Sequence, residues 1–233
     1  LSHHENPYLT PQFTTSDPAG PPTQHEPPGE FKPFKTIWLS PRRTVRQIVS
    51  VDPTLHVVLL ACLSGIGETL DRASMRDLGD RLPLPAIIAV AVILGPIGGL
   101  IGVWIGAWLV AITGKWMGGK GTSETVRTAL TWASIPSIVA SILWIPQLLL
   151  LREELFTSET PRLESNPGLI VPVLALSLVE IVLAIWSFVL MCNTIAEVQS
   201  FGSAWRGFFN LLLAGAVVFV PIMALVFAAV ALG

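Results

Sequence analysis

PAIIAVAVILGPIGGLIGVWIGAWLVAIT, residues 85–113, runs through 29 positions without one charged side chain. As an α-helix rising 1.5 Å per residue it is about 43 Å long, longer than the roughly 30 Å hydrocarbon core of a bilayer. A soluble core built from 233 residues cannot hide such a rod around its whole circumference. Composition agrees, since 52% of residues are hydrophobic and 13% charged, about half the roughly 25% charged share of a soluble domain. The chain reads as an all-α, polytopic transmembrane helical bundle.

Four further apolar segments flank this one, at 54–70, 123–151, 169–192 and 207–232. With 85–113 they predict five spans in a membrane domain over 53–233, each near the roughly 20 residues that a crossing helix needs. Asp52 and Pro53 suit the start of the first. Gly95-Pro96 is the expected bending point of the second, because proline removes a backbone hydrogen bond. Splitting the second there would leave an amino-terminal piece of about ten residues, too short to cross, although a kinked or re-entrant course stays open.

The amino-terminal region is a different material. Eight of the nineteen prolines fall before residue 34, and few aliphatics accompany them, so residues 1–35 read as a disordered Pro-rich tail. The tail has no basic start followed by an apolar run, so it does not read as a signal peptide. Residues 36–52 then predict a short interfacial amphipathic helix. Ser40 and Pro41 suit its start, Val45, Ile48 and Val49 share one face, and Arg42, Arg43 and Arg46 occupy the other. With Trp38 just before it, this helix is expected to lie on an anionic leaflet, helped by Lys115 and Lys120 between the second and third spans. A positively charged flank that only sets topology is the plainer alternative.

Positive charge sets the expected orientation. An inside amino terminus puts Lys32, Lys35, Arg42, Arg43, Arg46, Lys115, Lys120, Arg127 and Arg206 on the cytoplasmic side. Arg72, Arg76, Arg81, Arg152 and Arg162 then face out, and an odd number of spans places the carboxy terminus outside.

Few residues offer chemistry. Glu180 sits near the centre of the fourth span, where a bare carboxylate is expensive and no Lys or Arg lies within a span to pair with it. It must be protonated, face a wet cavity, or be held by hydroxyls such as Ser134, Ser137, Ser141 or Ser177. That makes it either a proton or cation site or an interhelical hydrogen-bonding group. Glu68, Asp71, Asp77 and Asp80 could together hold a hard divalent cation, or else pair with Arg72, Arg76 and Arg81. Gly98, Gly102 and Gly106 recur every four residues and predict a glycine zipper against a neighbouring span or protomer. The glycine-rich Gly118–Gly121 lacks the Walker A spacing and reads as a tight turn.

Asn193, Glu197 and Gln199 are expected to surface after the fourth span, His56 marks an interface, and Trp116 and Trp205 fit the headgroup belt. Cys62 and Cys192 lie in apolar runs and read as small hydrophobes. No nucleophile–base pair, cofactor motif or metal spacing emerges, and a net charge of −2 argues against nucleic acid. The expected partners are membrane lipids, with a protein partner or a second copy of the chain also open.

Three stretches carry a family resemblance. Trp38-Leu-Ser-Pro-Arg-Arg-Thr-Val-Arg-Gln-Ile48 follows W-x-x-P-x-x-T-x-x-x-I; Gly118-Gly-Lys-Gly-Thr-Ser-Glu-Thr-Val-Arg127 precedes Ile135-Pro136; and Leu94-Gly-Pro-Ile-Gly-Gly99 lies in the second span. In order, and with five spans, they resemble the bacterial branch of the Yip1-domain family. That resemblance implies an integral protein of the bacterial inner membrane without an agreed activity. Eukaryotic members are associated with vesicle trafficking and Rab GTPases, but their Asp-Leu-Tyr-Gly-Pro motif is matched only in part by Asp77-Leu78-Gly79-Asp80, so that role is not carried over. The expected function is non-enzymatic: membrane organisation, lipid contact or partner recruitment. The alternative is a small transporter or channel using Glu180.

Overall fold

The computed structural model describes residues 32–232, with side chains through residue 230. The expected tail lies outside the described residues except for its last few positions, and these are not tail. Pro33–Thr36 form one helical turn, the Ile37 amide donates to the Pro33 carbonyl at 3.0 Å, and Ile37 is fully buried.

All regular structure among the described residues is helical. Helix α1 is Pro41–Val51, α2 Val57–Ser74 and α3 Leu84–Trp116. Helices α4 (Ser123–Ala133), α5 (Ile135–Ala140) and α6 (Trp144–Leu151) follow in one line, and α7 (Ile170–Val198) and α8 (Ala204–Leu232) complete the bundle.

Helix α3 stays continuous through Pro96, so residues 85–113 belong to one helix of about 50 Å. The stretch expected as one span over 123–151 is instead three helical pieces. Pro136 and Pro146 remove the amides that would bond the carbonyls of Trp132 and Ile142, and a 3-10 turn fills Ser141–Leu143. Hydroxyls take up backbone carbonyls near the first break: Thr131 Oγ1 donates to Arg127 O at 2.9 Å and Ser134 Oγ to Thr131 O at 2.7 Å.

Among the described residues four stretches are long and apolar enough to cross a bilayer: Leu84–Trp116, Ser123–Phe156, Pro167–Val198 and Ala204–Val230. The expected first span, 54–70, is not among them, which corrects the count of five. Asp52 does not start its helix. The Asp52 carboxylate instead accepts from the Thr54 hydroxyl at 2.6 Å and the Thr54 amide at 2.8 Å, and these bonds hold it below the usual carboxylate range. The helix begins only at Val57, and its last two turns carry Glu68, Asp71 and Arg72.

Helix α2 nevertheless traverses the bundle. Near its start the Trp132 indole donates to the Leu55 carbonyl at 3.0 Å, and at its end the Ser74 hydroxyl donates to the Leu155 carbonyl at 2.6 Å. Five segments therefore run end to end, and four of them qualify as spans.

What lets the short, partly charged α2 lie against α3 is glycine. A Cβ on Gly65 would collide with the Gly95 carbonyl oxygen and stand 2.7 Å from Gly99 Cα. A Cβ on Gly99 would collide with the Ala61 carbonyl and lie 2.8 Å from Gly65 Cα. This is a small-residue seam, but on another strip of α3 from the one expected. A Cβ at Gly98, Gly102 or Gly106 meets nothing, so no zipper forms there within the chain. The reason is rotation: one residue along a helix turns about 100°, so Gly99 faces α2 while Gly98 points away.

At the end opposite α1, Ala73, Ile87, Trp144 and Phe156 form a small core, with Trp144 and Phe156 stacked at 5.4 Å between ring centroids. Towards that end, the outward faces of α7 and α8 expose Val171, Leu174, Leu225 and Phe227, a surface whose natural solvent is acyl chain.

Gly65→Ala should destabilise the protein by about 1–3 kcal/mol through overpacking. Gly102→Ala, adding a methyl into open space and favouring the helix, should hold or raise stability. Melting temperatures of the two variants in detergent check the opposite signs.

Candidate functional site

Two polar regions stand out, one at each end of the bundle. The first is the cap built on α1. Its aliphatic face does not lie in lipid as expected: Val45 and Ile48 are fully buried, packed with Ala107, Val126 and Ile195 on one side and with Ile37, Leu60 and Trp132 on the other.

Its arginines fix the helix's direction. Arg42 Nε donates to Asn193 Oδ1 at 3.3 Å, and Arg46 Nε to Glu197 Oε1 at 2.6 Å. The Glu197 hydrogen bond and charge raise the Arg46 pKa above its ordinary value. An exposed pair of this kind orients more than it stabilises.

The turns between spans close the cap. Gln199, expected at the surface, is fully buried. Its carbonyl oxygen Oε1 accepts from the Gly121 amide at 2.9 Å and its Nε2 donates to Val110 O at 3.2 Å. Asn210 Nδ2 donates to the same carbonyl at 3.2 Å, and the Thr113 hydroxyl donates to Asn210 Oδ1 at 2.8 Å. Cβ atoms on Gly114, Gly119 or Gly121 would run into the Gln199 side chain. The glycine-rich segment is therefore shaped around a buried carboxamide.

The charged side chains exposed at this end include Lys35, Arg43, Arg46, Lys115, Lys120 and Arg206, with Glu124 among them, beside the exposed apolar side chains of Leu39, Trp116 and Trp205. Trp38 is half-buried, and the Arg127 guanidinium lies 4.2 Å over the Trp104 ring. The expected interface residues Trp38, Arg42, Arg43, Arg46, Lys115 and Lys120 thus divide. Arg42 and Arg46 reach α7, whereas Arg43 and the two lysines face outward.

The second region is a cavity of about 610 Å³ between α2, α6 and α7, with Asp71, Ser74, Trp144, Gln147, Ser177 and Glu180 on its wall. Glu180 is half-buried and faces this space. Of the four hydroxyls expected to hold it, only Ser177 lines the cavity; Ser134 and Ser141 bond backbone carbonyls elsewhere.

Sequence reading missed the partners that matter. Gln147, Trp144 and Asp71 share the cavity wall with Glu180, and the charges of Asp71 and Glu180 act on each other. The only signal for Gln147 and Asn210 was isolation: each is a single carboxamide inside an apolar run.

The four acidic residues weighed as a cation site are not brought together. Glu68 takes Arg72 Nη2 at 2.8 Å, Asp80 accepts from the Ser158 amide at 3.2 Å and hydroxyl at 2.8 Å, and Asp77 sits in the left-handed region with φ 49°. Among the described residues no group of three or more His, Cys, Asp or Glu could hold a metal ion.

The family model described as the Yip1 domain matches residues 35–225, a range that takes in both the cap and the cavity. No curated protein and no solved structure matches the chain.

Gln199→Ala should strand the Gly121 amide in a buried site, a loss of about 1–3 kcal/mol. Gln47→Ala, on the exposed side of α1, should cost nothing measurable. Thermal melts of the two variants check the contrast.

Proposed function

This chain belongs to the Yip1-domain family, and from that membership we propose that it is a non-enzymatic membrane protein that organises its surroundings by lipid contact at the cap. The carrying observation is the docked α1. With Val45 and Ile48 spent on protein contacts, the helix is a fixed plate and not a floating anchor. Arg43, Lys115 and Lys120 stand on one end of the bundle among exposed Trp116, Trp205 and Leu39. Cations interleaved with interfacial aromatics suit an anionic leaflet, and a preordered plate loses little entropy on meeting headgroups. In this reading the cap lies on the cytoplasmic side of a bacterial inner membrane, where the larger share of Lys and Arg belongs, and the carboxy terminus lies outside. Recruitment of a protein partner would use the same face.

A second reading, a small transporter or channel with Glu180 as its proton or cation site, draws on the cavity that joins Glu180 to Asp71. Proteoliposome flux that is lost in Glu180→Gln would support it, and absence of flux from the folded wild type would remove it.

The lipid reading predicts that the protein, released from nanodiscs of equal phosphatidylglycerol and phosphatidylcholine, carries the anionic lipid preferentially in native mass spectra. Replacing Arg43, Lys115 and Lys120 together by Gln should cut that preference several-fold, and added salt should weaken it in the wild type. An unchanged lipid profile in the triple variant would contradict the proposal.

A further inference from the structure

The cavity between α2, α6 and α7 gathers two carboxylates on one wall. Asp71 and Glu180 both line it and act on each other through their charge, and among the described residues no Lys, Arg or His lines the wall. Arg72, one residue beyond Asp71 on α2, acts on Asp71 through its charge but is hydrogen-bonded to Glu68 at 2.8 Å. Glu180, half-buried within a spanning stretch, favours a proton or a cation beside it, and Asp71, exposed on the same wall, adds a second negative charge. The rest of the wall says which.

Gln147 is 6% exposed. One side of its carboxamide turns to Glu180, and its other polar atoms have no partner among the described residues. The carboxamide opens onto the cavity, so a ligand there can take up its remaining hydrogen-bonding capacity. A shared proton would relieve the carboxylates but leave Gln147 and most of the space unfilled.

A bare metal ion fits poorly. A hard divalent cation needs six or more oxygens at 2.3–2.6 Å, and a space of about 610 Å³ is far larger than one ion. The volume and the mixed wall, with carboxylates and a carboxamide on one part and Val173 and Ile181 on another, call for a ligand that is cationic at one end and apolar at the other.

We propose that this cavity binds an organic ammonium ion, with its nitrogen between the Asp71 and Glu180 carboxylates, an N–H donated to the Gln147 carbonyl oxygen, and its apolar part along Val173 and Ile181. An ammonium group has three donors and no acceptor, which matches three acceptor groups on the wall. The same chemistry is offered by a free amine and by the amine headgroup of a phospholipid. The site is separate from the cap and does not depend on the lipid contact proposed there.

The test uses the full chain in phosphatidylglycerol nanodiscs, which contain no amine. Thermal melts are recorded with benzylamine, cationic at neutral pH, and with benzyl alcohol, sodium chloride and calcium chloride as comparisons. Benzylamine should raise the melting temperature by several degrees, as a ligand of the native state does, and the other three should not match it. The combined Asp71→Asn, Glu180→Gln variant should lose the shift. Equal shifts from benzylamine and benzyl alcohol, a calcium shift as large as the amine's, or a full shift in the double variant would each overturn the proposal. The wild-type comparison decides even if that variant does not fold. In mixed phosphatidylethanolamine nanodiscs, native mass spectra separate the two sources. Ethanolamine lipid retained and then expelled by benzylamine marks a headgroup ligand, and an amine shift without retained lipid marks a free amine.

Discussion

The backbone contact between Gly65 on α2 and Gly95 and Gly99 on α3 is the constraint on which the rest of this structure depends. Helix α2 is 18 residues long and ends in charged turns, so in lipid it lacks the apolar length to hold its own place. Apolar burial gives little drive inside a bilayer, because acyl chains are as apolar as leucine. What holds two helices there is close van der Waals contact, and only residues without side chains let backbones come this near. The seam carries the chain from the cap to the opposite end, where Asp71 arrives beside the cavity that Glu180 faces. Moving α2 outward by the width of one methyl would loosen both the small core around Trp144 and the wall of that cavity.

Hydrophobic length made most of the architecture legible. Four apolar runs became four spanning stretches, because nothing but a membrane can solvate such surfaces. The run at 54–70 was counted with them because Val57–Leu63 at its centre is wholly apolar. Its deficit appears only when the helix is drawn through Ser74, so that Asp71 and Arg72 join Glu68 inside it. The glycines show the same limit at finer grain. Spacing by four identified a strip of α3, but periodicity cannot say which of two adjacent strips has a neighbour. Gly95 and Gly99 also recur by four, and it was they that met α2.

The polar sites were legible in part, for a comparable reason. Glu180 announced itself through the energetic cost of its position, and the structure places it on a cavity as a lone buried carboxylate requires. Its companions did not announce themselves. Asp71 looked like a member of an acidic loop cluster, since in sequence it neighbours Glu68 and Asp77; only the path of α2 turns it inward toward α7. Gln147 and Asn210 were single amides in greasy runs, and Gln199 looked like a surface residue beyond a helix end. Gln199 and Asn210 were decided by contacts more than 70 positions away, and Gln147 by the wall it shares with Asp71 and Glu180, which no local pattern encodes. The α1 segment was read correctly as amphipathic and basic, but its apolar face met protein where lipid was expected, because Ile195 and Trp132 offered a buried surface of matching shape.

Cap and cavity divide the molecule between its two ends. At one end, a buried carboxamide network fixes a plate of outward-facing cations; at the other, two carboxylates share a space whose wall holds no Lys, Arg or His among the described residues. Both arrangements need α2 held flat against α3. Solid-state NMR on the protein in lipid bilayers, with ¹³C introduced at glycine alone, measures that contact directly. The account predicts through-space cross-peaks linking Gly65 with Gly95 and Gly99, and none linking Gly65 with Gly102 or Gly106. A spectrum in which Gly65 shows no correlation to either of its two predicted neighbours would contradict it.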